Sequence, residues 1–159
     1  MPKAKQYPVS CRDITPELEF YEEAVELQKK AESYLLSFYW CLEVKECFLY
    51  TNIGDVFAIY LFDIINTASD DDNLLWVVAG DIPSMYLDVI GPRSTTEVLE
   101  DYITLAEDWI EHVKTGQSVE TCFPFNADPS IELAKLLETK ISFMSNTLVH
   151  HIDNITLKK

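Results

Sequence analysis

The side chains in this chain that could do chemistry are mostly carboxylates. Fourteen acidic residues and a single basic one, Arg93, lie between residues 46 and 113, and the whole chain carries a formal net charge of −15. Six of these acids recur at the spacing of one helix face: Glu97, Glu100, Asp101, Glu107, Asp108 and Glu111. On a helical wheel they fall in a stripe about 120° wide. Such a row can attract cations or a basic protein, or supply paired carboxylates for acid–base catalysis.

We read this stripe, hereafter the acidic face, as more than a solvated surface. Outward helix faces are commonly charged, but a helix that needs only solubility usually interleaves lysine with glutamate. It also avoids acids near its C-terminal end, where the helix dipole disfavours them. Glu107, Asp108 and Glu111 follow neither rule. The pattern therefore predicts a surface that binds a basic partner.

Three consecutive aspartates, Asp70, Asp71 and Asp72, form a second acidic group between two predicted strands. The segment lacks the glycine and the distal glutamate of a calcium-binding hand, so a hairpin turn explains it better than a calcium site. We include these three aspartates in the predicted partner-binding surface.

Motifs for enzyme chemistry are missing from the sequence. There is no G-x-S-x-G or H-E-x-x-H motif, and four glycines leave little material for a phosphate-binding loop. His150 and His151 are adjacent, and neighbours on a helix point about 100° apart, so they do not easily share a metal ion. We read these two and His112 as ordinary surface residues, and we predict no catalytic residue, no metal site and no cofactor.

Apolar periodicity predicts the elements that position these side chains. Thr15 and Pro16 are typical of a helix start, and apolar residues then recur in steps of three and four. The predicted apolar face consists of Phe20, Ala24, Leu27, Ala31, Leu35, Phe38 and Leu42. Segments rich in Val, Ile and aromatic residues predict four strands, at 44–51, 56–65, 74–79 and 85–90.

Two helices follow the predicted strands. Residues 94–97 match a capping box, and Gly116 sits where a helix would stop, so the acidic face belongs to a helix between them. A last helix is expected from residue 128 to about residue 149. We expect Trp76 and Trp109 to lie in the core.

These elements predict a single α+β domain over residues 1–159, with an N-terminal helix, a four-stranded antiparallel meander and two C-terminal helices. The strands at 56–62 and 74–79 are apolar at every position, so both faces of the sheet need cover. Three helices provide that cover most simply. If they cover one face only, a homodimer would bury the other. The buried row would be Phe57, Ile59 and Leu61, or Val56, Ala58, Tyr60 and Phe62.

Charge and composition limit the classes of partner and the cellular compartment that we expect. So acidic a surface repels nucleic acid and anionic lipid. The longest apolar run, 56–62, is far shorter than the roughly 18 residues that span a bilayer, and residues 1–8 lack the apolar centre of a signal peptide. Four cysteines occur without a C-x-x-C pair, and we expect buried or idle thiols rather than disulfides: Cys11, Cys41, Cys47 and Cys122. We predict a cytoplasmic protein without nucleic-acid or membrane partners.

The segment 75–87, which includes Gly80, Asp81 and Pro83, is similar to a segment of small uncharacterised bacterial α+β proteins. In those proteins a strand ending in Gly-Asp-x-Pro leads to a second strand and an amphipathic helix, and the similarity covers roughly residues 74–113. The overall profile also resembles the immunity proteins of bacterial toxin systems, which are often small, acidic and without catalytic residues. This second resemblance concerns only the general type of protein, so it identifies no binding residue in this chain.

We therefore hypothesise a non-enzymatic acidic binding protein, an immunity or inhibitor protein, that docks a basic protein such as a nuclease toxin. Two alternatives stay open: a DNA mimic that blocks a nucleic-acid enzyme, and a small enzyme that uses paired carboxylates on a cationic or metal-bound substrate. A deep pocket lined by convergent polar groups would favour the enzyme.

Overall fold

A five-stranded antiparallel sheet organises the chain in the computed structural model, which describes residues 8–17, 21–53, 56–68, 73–120, 122, 128–152 and 154–157. The strands follow one another across the sheet in chain order: β1 Val9–Ser10, β2 Cys41–Ile53, β3 Phe57–Asn66, β4 Leu74–Gly80 and β5 Met85–Asp88. The predicted α+β class and the meander are confirmed. The predicted count of four strands is wrong because β1 pairs with β2, and two residues are too few to show an alternating pattern in the sequence.

Three helices of more than one turn pack on this sheet within the described residues: α1 Tyr21–Leu36, α2 Thr95–Lys114 and α3 Ile131–Phe143. A π-helical segment, Met144–Leu148, and a last helical turn, Val149–His151, continue from α3. Helix α3 begins later than residue 128 because Ser130 caps it, its Oγ accepting from the Leu133 amide at 3.1 Å. No helix in the described ranges has the length and apolar character needed to cross a bilayer.

Helix α1 ends earlier than its apolar periodicity predicts. It stops at Leu36, whereas the predicted face continued through Phe38 to Leu42. The chain turns at 37–40, and Leu42 lies in β2 with 65% of its surface exposed. The apolar residues of the turn happened to continue the helical spacing. The predicted start is also displaced, because residues 16–17 form a turn; residues 18–20, including the predicted Phe20, lie outside the described part of the chain.

Both faces of the sheet are covered within the chain. Helix α1 packs on the face that carries Tyr60 and Phe62. Helices α2 and α3 pack on the opposite face, which carries Phe57, Ile59 and Trp76. All five of these side chains have 0% exposure. The condition under which we expected a homodimer, an uncovered sheet face, is therefore not met.

Hydrogen bonds from two large buried residues fix α2 on the sheet. The Nε1–H of Trp76 in β4 donates to the Pro92 carbonyl at 2.9 Å. The hydroxyl of Tyr102 in α2 donates to the Pro83 carbonyl at 2.7 Å. The first bond holds the β5–α2 connection against β4, and the second ties α2 itself to the β4–β5 connection.

The predicted capping signals bound α2. Ser94 Oγ accepts from the Glu97 amide at 3.3 Å, and the Glu97 carboxylate accepts from the Arg93 amide at 2.8 Å. The helix therefore starts as predicted, with the return bond one residue earlier than in the usual capping box. Gly116 follows the helix with φ +74°, a conformation that favours glycine.

Gly80 is needed where β4 ends, because a side chain there would strike β3. Its φ is +151°, and a Cβ atom would lie 2.2 Å from the Val56 carbonyl oxygen. The next residue, Asp81, pairs with Lys140 of α3, with 3.0 Å between Oδ2 and Nζ. The Gly-Asp-x-Pro segment therefore links the β4–β5 connection to α3 as well as turning the chain.

A disulfide joins Cys11 and Cys47, whose Cα atoms are 5.6 Å apart. The strand register explains the pairing: Ser10, the last residue of β1, lies opposite Phe48 of β2, so Cys11 directly after β1 approaches Cys47. The expectation of four idle thiols is wrong for this pair. The two remaining cysteines are free and buried.

Candidate functional site

Helix α2 places the acidic face on the outside of the molecule. Five of its carboxylates are exposed, and Asp101 is half-buried. The other side of the helix is buried and consists of Val98, Leu99, Tyr102, Ile103, Ala106, Trp109, Ile110 and Val113. Trp109 is 2% exposed and Trp76 is 0% exposed. The predicted rotation of the helix and the predicted burial of both tryptophans are confirmed.

The acidic face has almost no charge compensation. Among the described residues, none of its six carboxylates pairs with Lys or Arg, and the one close contact with a titratable nitrogen joins Asp108 Oδ1 to His112 Nδ1 at 3.5 Å. Lys114, at the end of the same helix, pairs instead with Glu138 of α3 at 2.9 Å. The face therefore presents charge of one sign to anything that approaches it.

Asp101 shows the effect of this crowding. Partial burial raises the pKa of its carboxyl above the ordinary value of 3.8, and the charges of Glu97, Glu100 and Asp88 raise it further. A cation beside Asp101 would favour its charged form and oppose all of these effects. This end of the acidic face is therefore suited to bind a positive group.

A cleft of about 440 Å³ lies beside Asp101, between the start of α2 and the β4–β5 part of the sheet. Its lining comes from segments far apart in the chain: Trp40, Asn66, Ala68, Leu75, Tyr86, Leu87, Asp88, Gly91, Pro92 and Asp101. We call this space the aromatic cleft. It joins the acidic face to a concave, partly apolar surface.

Two aromatic rings line the cleft. The ring centroids of Trp40 and Tyr86 are 5.2 Å apart, with the ring planes at 70°. Phe38 packs against both, at 5.1 Å from Trp40 and 5.2 Å from Tyr86. Aromatic faces attract ammonium and guanidinium groups, and a nearby carboxylate adds a direct charge interaction. The cleft is therefore suited to an organic cation.

The two carboxylates of the cleft differ in how free they are to accept a hydrogen bond from a ligand. Asp88 Oδ1 accepts from the amides of Ile90 and Gly91, both at 3.0 Å, and so stabilises the turn after β5. No hydrogen-bond or ion-pair partner of the Asp101 carboxylate lies within the described ranges. Asp101 is therefore the carboxylate of the cleft that can accept an incoming donor.

The predicted acidic group at Asp70, Asp71 and Asp72 lies outside the described residues. Trp40 and Tyr86 were absent from the predicted site. A signal for Trp40 was present, because three aromatic residues occur in a row at 38–40, where the helical period ends. Tyr86 had no such signal, since its neighbours are those of an ordinary strand.

No protein-family model, curated protein or solved structure matches this chain at a significant level. The resemblances of segment 75–87 and of the overall profile therefore stay expectations. The functional proposal that follows rests on the acidic face and the aromatic cleft.

Proposed function

We propose that this protein is a non-enzymatic binding protein whose acidic face docks a basic protein partner. The observation that carries the proposal is that no Lys or Arg of the described part of the chain pairs with any of the six carboxylates. A basic partner would supply the missing compensation. Exposed charges each contribute little to affinity, so the row would act mainly by steering the partner and fixing its register.

The aromatic cleft provides the anchor for this complex. An arginine or lysine side chain of the partner would place its charge against Trp40 and Tyr86 and pair with Asp101. A cation over an aromatic face contributes about 0.5–1 kcal/mol when exposed and about 2 kcal/mol when desolvated. Central, partly buried contacts of this kind commonly dominate binding, with a charged rim around them.

The biological form that we propose is an immunity or inhibitor protein directed at a nucleic-acid-binding partner such as a nuclease toxin. Proteins that bind nucleic acid carry basic surfaces, and an acidic protein surface can cover them. The same charge keeps this protein away from nucleic acid itself. The partner therefore is a protein, and its basic surface is the part that binds.

One observation favours a second candidate function, that of a small enzyme acting on a cationic substrate. Asp88 and Asp101 both line the aromatic cleft, and the raised pKa of Asp101 is a property that acid–base residues often share. The turn bonds of Asp88 count against it, because a carboxylate held in a turn is poorly placed for proton transfer. Asp101→Asn separates the two: it would remove nearly all activity from an enzyme but only part of the affinity from a docking surface.

A cytoplasmic location is part of the proposal and rests on the sequence. The Cys11–Cys47 disulfide removes the support that came from the expectation of unpaired thiols, since disulfides persist mainly in oxidising compartments.

Affinity capture from the native host at low and at high salt tests the docking proposal. We expect a basic protein to be retained at low salt and released as salt rises, because exposed charge interactions are screened. Retention of an acidic protein, or retention that ignores salt, would contradict the proposal. A hexa-arginine peptide added to the purified protein should change the fluorescence of Trp40, whereas a hexa-glutamate peptide should not. Trp40→Phe identifies the signal, since the other two tryptophans are buried.

A further inference from the structure

The C-terminal half of α2 carries a second group of side chains, which shares Asp108 with the acidic face and adds two residues, His112 and Cys122. Asp108 and His112 are one helical turn apart, and Cys122 reaches them from the segment after the helix. A carboxylate oxygen, a ring nitrogen and the thiol sulfur all lie within 4.8 Å of one another. Asp108 lies seven residues beyond Asp101, about 10 Å along the helix, so this group is separate from the aromatic cleft.

Oxygen, nitrogen and sulfur donors at this spacing resemble the ligand set of a zinc ion. Tetrahedral Zn²⁺ has bonds of about 2.0–2.3 Å, which places its ligand atoms about 3.4–3.7 Å apart. Small rotations of the Asp108 and His112 side chains, which are 52% and 21% exposed, would bring separations of up to 4.8 Å into this range. Imidazole and thiolate are ligands that favour zinc over magnesium or calcium.

The ring of His112 is already oriented. Its Nδ1–H donates to the Asp108 carbonyl oxygen at 2.8 Å, since a carbonyl can only accept. In the neutral ring this leaves the lone pair on Nε2. A ring N–H held by a backbone carbonyl is common in histidines that bind metals, because the bond fixes the tautomer. Metal binding would use Nε2 directly, or Nδ1 after this bond is released.

Cys122 fits the role of a metal ligand better than two alternatives, which are a purely structural thiol and a nucleophilic thiol. A buried cysteine often serves only as a small apolar side chain, but such a cysteine does not usually meet a carboxylate and an imidazole. A nucleophilic thiol needs a positive environment that favours the thiolate. Burial and the neighbouring Asp108 instead raise the pKa of the Cys122 thiol. A divalent cation is the group that would satisfy all three side chains together.

We infer that Asp108, His112 and Cys122 form a binding site for a zinc-like divalent cation. This replaces our expectation from the sequence that the chain holds no metal and that His112 is an ordinary surface residue. Three protein ligands leave a fourth tetrahedral position, which water or a donor group of a bound partner can occupy. The exposed Glu107 and Glu111 beside the site raise the local concentration of cations.

Titration of the purified full chain with Co²⁺, a spectroscopic substitute for Zn²⁺, tests this site. We expect one equivalent to produce the near-ultraviolet band of a cobalt–thiolate bond and visible bands of tetrahedral cobalt, and Zn²⁺ to remove both. Cys122→Ser should abolish the thiolate band. His112→Gln and Asp108→Asn should each weaken Co²⁺ binding at least tenfold. Because these two residues lie at the surface, their variants keep the test decisive even if Cys122→Ser does not fold.

Matched controls separate this site from binding elsewhere. Cys41→Ser removes the other free buried thiol, and His150→Gln removes an exposed histidine. Both variants should bind Co²⁺ as the unaltered protein does. Absence of the thiolate band from the unaltered protein, its persistence in Cys122→Ser, or its loss in Cys41→Ser would overturn the inference. The acidic face is not tested by this experiment, so failure here leaves the docking proposal as it stands.

Discussion

Helices α1 and α2 cover opposite faces of one sheet, but only α1 mixes its charges. The outer side of α1 combines Glu22 and Glu26 with Lys29 and Lys30, and Lys29 Nζ lies 4.0 Å from Glu26. The acidic face of α2 has six carboxylates, and the lysine of that helix, Lys114, pairs with α3. Both helices bury a continuous apolar side. Covering the sheet therefore needs only the apolar side, and this difference supports the proposal that the acidic face of α2 binds a partner.

That charge pattern lowers the stability of α2. Glu97 and Asp101 are four residues apart, as are Glu107 and Glu111, and like charges at this spacing each destabilise a helix by about 0.2–0.5 kcal/mol. The acids near the C-terminal end also oppose the helix dipole. A pattern that lowers stability without aiding the fold points to a role in binding.

The buried sides of the two helices should respond alike to truncation. Trp109→Ala in α2 should lower the free energy of unfolding by about 3–5 kcal/mol, and Leu27→Ala in α1 by about 2–5 kcal/mol. Both side chains are at most 5% exposed, so each change leaves a cavity. Urea unfolding followed by circular dichroism measures both. An unchanged midpoint for Trp109→Ala would mean that the buried side of α2 is assigned wrongly.

Removing the Asp101 carboxylate from the acidic face should change stability in a way that depends on pH. A carboxyl whose pKa is higher in the folded state destabilises the protein when charged. This penalty is absent below the unfolded value near 3.8 and becomes complete above the raised folded value. Asp101→Asn should therefore raise the melting temperature at neutral pH, and the difference should shrink as the pH falls towards 3.8. A difference that stays constant with pH would contradict the raised pKa.

Charge reversal should stabilise α2 but not α1. Glu111→Lys creates i,i+4 and i,i+3 pairs with Glu107 and Asp108 and complements the helix dipole, so it should stabilise the protein by about 0.5 kcal/mol. Glu26→Lys gains Glu22 as a partner but meets Lys30, so its effect should be near zero. Thermal unfolding of both variants compares them. Destabilisation by Glu111→Lys would show that its carboxylate has a structural role.

The acidic face was predictable because it depends on one helix. The spacing of acids and apolar residues, with Ser94 at one end and Gly116 at the other, determines both the element and its rotation. The coverage of both sheet faces also followed from strands that are apolar at every position. The first pattern is periodic along all of α2, Thr95–Lys114, and the second consists of uninterrupted apolar runs at 56–62 and 74–79, so both can be recognised in the sequence.

The aromatic cleft and the Asp108–His112–Cys122 group could not be predicted in the same way. Trp40, Tyr86 and Asp101 come from three elements, and only the sheet order and the bonds that hold α2 bring them together. The Cys11–Cys47 disulfide likewise depends on a two-residue strand. Such sites arise from tertiary contacts, which local periodicity does not encode.

The most direct test of the docking proposal removes the same number of charges from the acidic face of α2 and from the exposed surface of α1 and α3, and compares the two variants. Glu100→Gln/Glu107→Gln/Glu111→Gln removes three charges from the acidic face and leaves Asp101 and Asp108 in place. The matched variant, Glu22→Gln/Glu26→Gln/Glu132→Gln, removes three exposed charges from α1 and α3. Each protein is titrated by calorimetry with the basic partner captured from the host.

We expect the α2 variant to bind that partner about tenfold more weakly, as the loss of three exposed charge contacts of about 0.5 kcal/mol each implies. The matched variant should bind within about twofold of the unaltered protein, because it changes net charge equally without touching the acidic face. Equal weakening of both variants would show that net charge alone attracts the partner. It would contradict the assignment of α2 as the docking surface.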